Sequence, residues 1–231
     1  MDQVNFGGIL NIYKPAGVTS AVVVTRVKWL TPRGTKVGHA GTLDPFATGV
    51  LLVLVGRATR LSESLMSTPK QYVATVRLGA TTPSDDPETP ATPTPDALPV
   101  SPEALQKAIA SQVGQIEQAP PVYSALKVGG KRASDRVRLG QTVVLSPRVV
   151  RIDAIELLDY AWPDVKIRVD CGRGTYVRAI ARDIGAALGV GGYLTQLERT
   201  RVGDHWSDQS LRIEDLNAGT LRQKLAEQRL P

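Results

Sequence analysis

The sequence is poor in the residues that build disulfides, metal sites and membrane spans. It has one cysteine, Cys171, in 231 residues, so no disulfide can form within the chain. A lone cysteine and two histidines, His39 and His205, fall short of the four ligands of an ordinary structural zinc site. No carboxylate cluster stands out in their place, so no metal is expected. The longest apolar run, Val50 to Val55, is far too short to span a membrane and reads as a buried strand. The opening Met1-Asp2-Gln3-Val4-Asn5 lacks the basic stretch and apolar stretch of a secretory leader. A cytoplasmic protein with no membrane contact is expected.

What is present fits a globular chain. Hydrophobic residues make up 42%, enough to bury a core and unlike a disordered sequence. The length suits a single domain over residues 1–231. The net charge is +6, and it is unevenly placed. Between Tyr123 and Arg151 lie Lys127, Lys131, Arg132, Arg136, Arg138, Arg148 and Arg151, against one acid, Asp135. The remaining 21 basic and 21 acidic residues balance. Such segregation fits either a polyanion-binding arm or a solvated basic loop.

Periodicity places the elements. Gly8 to Tyr13 reads as a strand, and Thr19 or Ser20 caps a helix through Leu30. Gly49 to Val55 reads as a strand covered on both faces. Arg57 to Met66 forms a helix, and Tyr72 to Leu78 alternates as a strand. From Pro83 to Pro102 lie seven of the sixteen prolines. Proline supplies no donor and blocks regular pairing, so residues 83–102 are expected to be extended and mobile. A helix follows from Pro102 to Val113 with Pro102 at its first position. Val149 to Tyr160 and Val165 to Cys171 are strands. Thr175 caps a helix with Val177, Ile180, Ala181, Ile184 and Leu188 on one face. Tyr193 to Arg199 and His205 to Leu211 are further strands, and Thr220 to Gln228 is a last helix. Strands and helices mix without regular alternation, which gives an α+β class.

One segment decides the function. Gly38-His39-Ala40-Gly41-Thr42-Leu43-Asp44-Pro45-Phe46-Ala47-Thr48-Gly49-Val50-Leu51 resembles the signature G-H-x-G-x-L-D-P-x-A-x-G-x-L of TruB-type tRNA pseudouridine synthases. Four more segments match family motifs in order: Lys14-Pro15 with Gly17, Lys70-Gln71-Tyr72, Pro120 to Lys127, and Gly174-Thr175-Tyr176-Val177-Arg178. The resemblance covers roughly residues 8 to 216. It implies a bent, mostly antiparallel mixed sheet with flanking helices. It also implies cofactor-free isomerisation of the uridine at nucleotide 55, in the T loop of tRNA.

The resemblance assigns the roles. Asp44 matches the catalytic aspartate, which either adds to the base or ribose or abstracts a sugar proton. Arg178 matches the arginine that keeps that carboxylate ionised and oriented. Tyr72 stacks on the uracil and helps remove the C5 proton. Tyr176 lines the pocket and orients Arg178, and Leu197 is an apolar contact to the base. His39 fills the gap left by the flipped nucleotide, and Lys14 supports the catalytic loop. Residues 123–151 correspond to an insertion that closes over the T arm, with Lys127, Lys131, Arg132, Arg136 and Arg138 on the RNA backbone. At Ala133-Ser134-Asp135-Arg136 the aromatic and glutamate of other members are missing. About 15 residues follow the resemblance, too few for the C-terminal RNA-binding domain of many bacterial members. The expectation is a monomer acting on tRNA without an obligate protein partner. The rivals are a guide-RNA-dependent synthase of the dyskerin type and a non-catalytic tRNA chaperone.

Overall fold

The computed structural model describes residues 7–228. Its strands are β1 (Gly8–Lys14), β2 (Val37–His39), β3 (Thr48–Val55), β4 (Lys70–Leu78), β5 (Ala80–Thr81), β6 (Thr92–Pro93) and β7 (Gly114–Gln118). There follow β8 (Lys127–Val128), β9 (Lys131–Arg132), β10 (Arg148–Ala161), β11 (Asp164–Cys171), β12 (Gly192–Val202), β13 (His205–Trp206) and β14 (Leu211–Arg212). The α-helices are α1 (Ser20–Trp29), α2 (Ser62–Ser67), α3 (Pro102–Ala110), α4 (Ala133–Arg138), α5 (Val177–Ala187) and α6 (Ala218–Ala226). The α+β class and the mixed sheet with flanking helices are as expected. None of these helices is long and apolar enough to cross a membrane.

The chain divides into two compact units. One takes Met1–Tyr72 with Leu197–Pro231, and the other takes Val73–Gln196. The boundary falls inside β4 and β12, which each change unit along their length.

In the first unit the strand order is β14-β1-β3-β12. Strands β1 and β3 pair antiparallel from Gly8 against Val55 to Lys14 against Gly49. The β1–β14 and β3–β12 pairs are parallel. Alternate residues of β3 serve two cores. Leu51, Val53 and Val55 pack with Leu10, Ile12, Val23, Val27 and Leu221 on one face. Val50, Leu52 and Leu54 pack with Ala40, Ala58 and Val202 on the other. That is why this strand reads as an unbroken apolar run. Helix α1 starts where Thr19, one of the two caps its sequence offers, accepts a hydrogen bond from the Val22 N–H.

In the second unit β10 pairs with β11 and with β7, antiparallel in both cases. Helix α3 begins at Pro102, capped by the Ser101 hydroxyl. It packs against α5 and β10. Gly185 of α5 lies against the following chain. A Cβ there would meet the Gly191 carbonyl carbon at 2.3 Å, so no side chain fits.

Several expected elements differ. The stretch from His205 to Leu211 is two short strands flanking a 3-10 turn at Ser207–Gln209. Residues 56–61 are 3-10 before α2 begins. The N-cap position of α5 falls at Tyr176 rather than Thr175 and has no side-chain cap, while the Tyr176 N–H donates to the buried Gln118 side chain at 2.8 Å. Strands β2 and β7 carry no clear alternation and were not expected.

The proline-rich stretch departs most. Its first residues are anchored: Ser84, Asp85 and Asp86 are all buried. The Ser84 hydroxyl donates to Asp86 Oδ1 at 2.6 Å, and the Thr82 hydroxyl donates to the Asp86 carbonyl at 2.9 Å. Further along, β5 pairs with β6, and the Tyr160 hydroxyl donates to the Val100 carbonyl. Proline content marked the absence of long strands here, and side-chain hydrogen bonds supply the order instead.

Candidate active site and RNA-binding surface

The loop that carries Asp44 joins β2 to β3 in the first unit, and buried polar side chains hold its main chain. Lys14, fully buried at the end of β1, donates from Nζ to the carbonyls of Pro15 at 2.8 Å, Val18 at 2.7 Å and Pro45 at 3.1 Å. The buried Ser20 hydroxyl accepts from the Leu43 N–H and donates to the Leu43 carbonyl, both at 3.0 Å. Arg199 is 2% exposed. Its Nε donates to the Val50 carbonyl at 2.7 Å, and its two terminal nitrogens reach the carbonyls of Thr42 and Gly41 at 3.3 and 3.2 Å. The Gly17 N–H donates to the Pro45 carbonyl at 2.8 Å.

These contacts satisfy carbonyls on both sides of Asp44 and leave its side chain half-buried. Gly49 closes the loop at φ +103°, and a Cβ there would meet the Arg199 carbonyl oxygen at 2.3 Å. Only glycine suits that conformation and that approach. Burial pushes the Lys14 ammonium down to about 8, with nearby Asp44 opposing the shift and Arg199 adding to it.

The other expected residues of this unit lie on strands. His39 ends β2, opposite Val53 of β3, and is half-buried. Tyr72 is 9% exposed on β4, and Leu197 is 7% exposed on β12, the neighbouring strand. The Thr200 hydroxyl donates to the Gln71 side chain at 3.1 Å, and the Gly203 N–H donates to the Pro69 carbonyl at 2.9 Å. These bonds tie the start of β4 to β12.

The second unit holds Arg178 and Tyr176, so Arg178 and Asp44 belong to different units. Arg178 is 3% exposed on α5 and pairs with the equally buried Asp86 at 3.1 Å. It also donates to the carbonyls of Ser84 at 2.9 Å and Tyr123 at 3.0 Å. One turn later Arg182 pairs with Asp85 at 3.1 Å and donates to the Ala119 carbonyl. Burial pushes the Asp85 carboxyl up to about 6, against the pull of Arg182 and Arg178. Two arginines four residues apart on one helix face thus bind loops 84–86 and 119–123. Tyr176, half-buried, stands at the N-cap position of that helix.

The basic segment is a small hairpin followed by α4. Lys127 pairs with Arg132 and Val128 with Lys131 across Gly129-Gly130, whose φ values of 57° and 82° suit a tight two-residue turn. Its base is fixed by the buried Ala133, whose N–H donates to the Leu126 carbonyl at 2.7 Å. Lys127, Lys131 and Arg132 are exposed and form no ion pair among the described residues. Arg138 differs, since it pairs with Glu88. Arg136 is half-buried and its guanidinium lies beside Gly129.

Arg199, Asp85, Asp86 and Arg182 were not singled out from the sequence, and Ser20 was read only as a helix cap. Their partners are mostly main-chain carbonyls or distant residues, which leave no spacing pattern.

Comparison with known proteins adds names to this geometry. The profile described as TruB family pseudouridylate synthase (N terminal domain) matches residues 28–177. The one described as tRNA pseudouridylate synthase B C-terminal domain matches residues 178–231. The chain is 49% identical over 215 residues to tRNA pseudouridine synthase B of Mycobacterium sp. (strain KMS), covering 91% of this chain and 72% of that one. It is 45% identical over 226 residues to the protein of that name from Phocaeicola vulgatus, covering 96% of each. Among solved structures, a chain of a Cbf5-Nop10-Gar1 complex matches with TM-score 0.70 and 32% identity, over 92% of this chain. The present chain spans about half the length of that solved chain, 54%.

Proposed function

This chain belongs to the TruB family of pseudouridylate synthases, and from that premise we propose that it isomerises uridine 55 in the T loop of tRNA. The observation that carries the reading is the Asp44 loop. A half-buried carboxylate sits on a main chain whose carbonyls are held by Lys14, Ser20 and Arg199. A group that must meet one atom of a flipped base works best when it is positioned in advance.

The chemistry needs little else. The C1′–N1 bond breaks, the uracil turns while held, and C1′–C5 forms. C5 gives up its proton and N1 takes one, so atoms and electrons balance with no redox step. Asp44 acts in the first step, by addition or by proton abstraction from the ribose. Tyr72 stacks on the uracil and serves C5 deprotonation, and Leu197 and Tyr176 line the base. Arg178, held by Asp86 and the carbonyls of Ser84 and Tyr123, is the catalytic arginine, and His39 fills the space the nucleotide leaves. Lys127, Lys131, Arg132, Arg136 and Arg138 bind phosphates of the T arm.

Identity supports a tRNA enzyme acting alone in the cytoplasm. It is higher to relatives named tRNA pseudouridine synthase B than to the chain from the Cbf5-Nop10-Gar1 complex. The test is to incubate the purified protein with an unmodified tRNA transcript and map pseudouridine. Modification confined to nucleotide 55 is expected. No pseudouridine, or a requirement for added guide RNA, would overturn the reading.

A further inference from the structure

A second basic surface lies in the first unit, whereas the hairpin belongs to the second. Between Asp2 and Asp44 there is no acidic residue, whereas Lys14, Arg26, Lys28, Arg33 and Lys36 carry positive charge. Lys14 is consumed by the catalytic loop. The other four are exposed on α1 and the turn that follows it, and form no ion pair among the described residues. With them stands Trp29, 81% exposed, and Val22, 54% exposed. Val22, Arg26 and Trp29 follow i, i+4, i+7 spacing and share one helix face. The turn Pro32 to Thr35, closed by a 3.1 Å hydrogen bond with Gly34 at φ +87°, holds Arg33 outward at its second position.

A single exposed tryptophan is unremarkable, and basic residues often close a helix C-terminus. The helix end accounts for Arg26 and Lys28. It does not account for Arg33 and Lys36 beyond it, for the absence of acids over forty residues, or for an indole left in water among cations. Cations that hold phosphates, together with an aromatic face on which a base stacks, are the ordinary components of RNA contact. The surface is also within reach of the chemistry. Ser20, the first residue of α1, is bonded to Leu43 beside Asp44. Nine steps of about 1.5 Å put Trp29 about 14 Å further along the helix axis.

We propose that the C-terminal end of α1 and the turn after it, with Arg26, Lys28, Trp29, Arg33 and Lys36, form a second contact for the substrate tRNA, with one base stacked on Trp29 and phosphates on the four cations. The inference rests on the reading of the substrate as tRNA. An acidic protein would satisfy the cations but leaves no use for a planar stacking face.

The test measures the Kd of an unmodified tRNA transcript over a range of salt concentrations. It compares the wild-type protein with Trp29→Ala, Trp29→Phe, and the fourfold variant Arg26→Ala, Lys28→Ala, Arg33→Ala, Lys36→Ala. Stacking worth about 1–3 kcal/mol raises Kd for Trp29→Ala between about fivefold and a hundredfold, with phenylalanine restoring most of the loss. The fourfold variant flattens the salt slope by about 0.7 to 0.9 for each lost phosphate contact. Single-turnover rates at saturating tRNA stay within about twofold. Unchanged Kd and salt slope in both variants would overturn the proposal and leave a protein or lipid surface as the occupant. A wild-type protein that binds tRNA through this face yet makes no pseudouridine would sink the proposed reaction and spare the contact.

Discussion

The Asp44 loop and the basic hairpin are both irregular segments with a functional reading, yet they are built in opposite ways. The loop is held from inside by three buried side chains that bond its carbonyls. The hairpin is fixed at its base by the bond from the Ala133 N–H to the Leu126 carbonyl and turns Lys127, Lys131 and Arg132 to solvent. A carboxylate that must meet one atom gains from being fixed. Cations that must follow a phosphate chain gain from freedom, because that contact is long-range and tolerant of position. Loops carry function in both cases, but one is rigid by design and the other is not.

The comparison breaks most sharply at Asp44. Asp44→Asn keeps the shape but can act neither as nucleophile nor as base. Turnover is expected to fall by about a thousandfold or more, while tRNA affinity stays within about twofold. Single-turnover assay and binding, run on one preparation, check both halves. Robust pseudouridine formation by the variant would end the assignment.

Removing the clamp tests rigidity itself. Arg199→Met strips three main-chain carbonyls of a charged donor, at a cost of about 3 kcal/mol in unfolding free energy. Arg199→Lys keeps the charge but not the fork and recovers less than half. Urea denaturation gives the stabilities. In the lysine variant kcat should fall more than KM rises, since the residue sets the loop's position and does not bind RNA. A variant with lost stability but full kcat would show that the loop needs no such fixing.

The hairpin should respond to salt rather than to denaturant. Replacing Lys131 and Arg132 by alanine is expected to weaken tRNA binding about tenfold and to lower the salt slope by about 0.7 to 0.9 per contact. Unfolding free energy should move by less than about 0.5 kcal/mol. Arg138→Ala should do less to the slope, because Arg138 already pairs with Glu88. A larger effect at Arg138 than at Lys131 would mean that the hairpin rearranges on RNA.

Much of this was legible in the sequence wherever a local rule governs. The alternation from Tyr72 to Leu78, the start of α3 at Pro102, and the two-faced burial of β3 all follow from spacing or a single residue type. The clamp on Asp44 was not legible. Arg199 bonds carbonyls 149 to 158 residues away, and any residue supplies a carbonyl. The anchored start of the proline-rich stretch was hidden because composition reports which pairings are blocked, not which side chains substitute for them. The basic face of α1 was hidden by arithmetic. Summed over everything outside residues 123–151, its cations cancel against acids that lie elsewhere in the chain.

The smallest expected effect is also the most specific to the clamp. Lys14 is fully buried among three carbonyls, and desolvation pushes its pKa down to about 8. In the unfolded chain the same group titrates near 10.4. Below about pH 8 both states hold the proton, and the cost of burying the cation is fully present. Between about 8 and 10.4 the folded state has released the proton while the unfolded state keeps it. The unfolded state then binds more protons, so this group's contribution to stability rises with pH, by at most about 1.4 kcal/mol per unit. Other lysines and tyrosines titrate in the same range, so the signal lies in a difference. The unfolding free energy of the wild-type protein minus that of Lys14→Met is expected to climb from pH 8 to pH 10 and to stay flat from pH 6 to pH 7.5. Parallel curves across the whole range would mean that Lys14 is solvated in the folded protein, and that the loop is held by Ser20 and Arg199 without it.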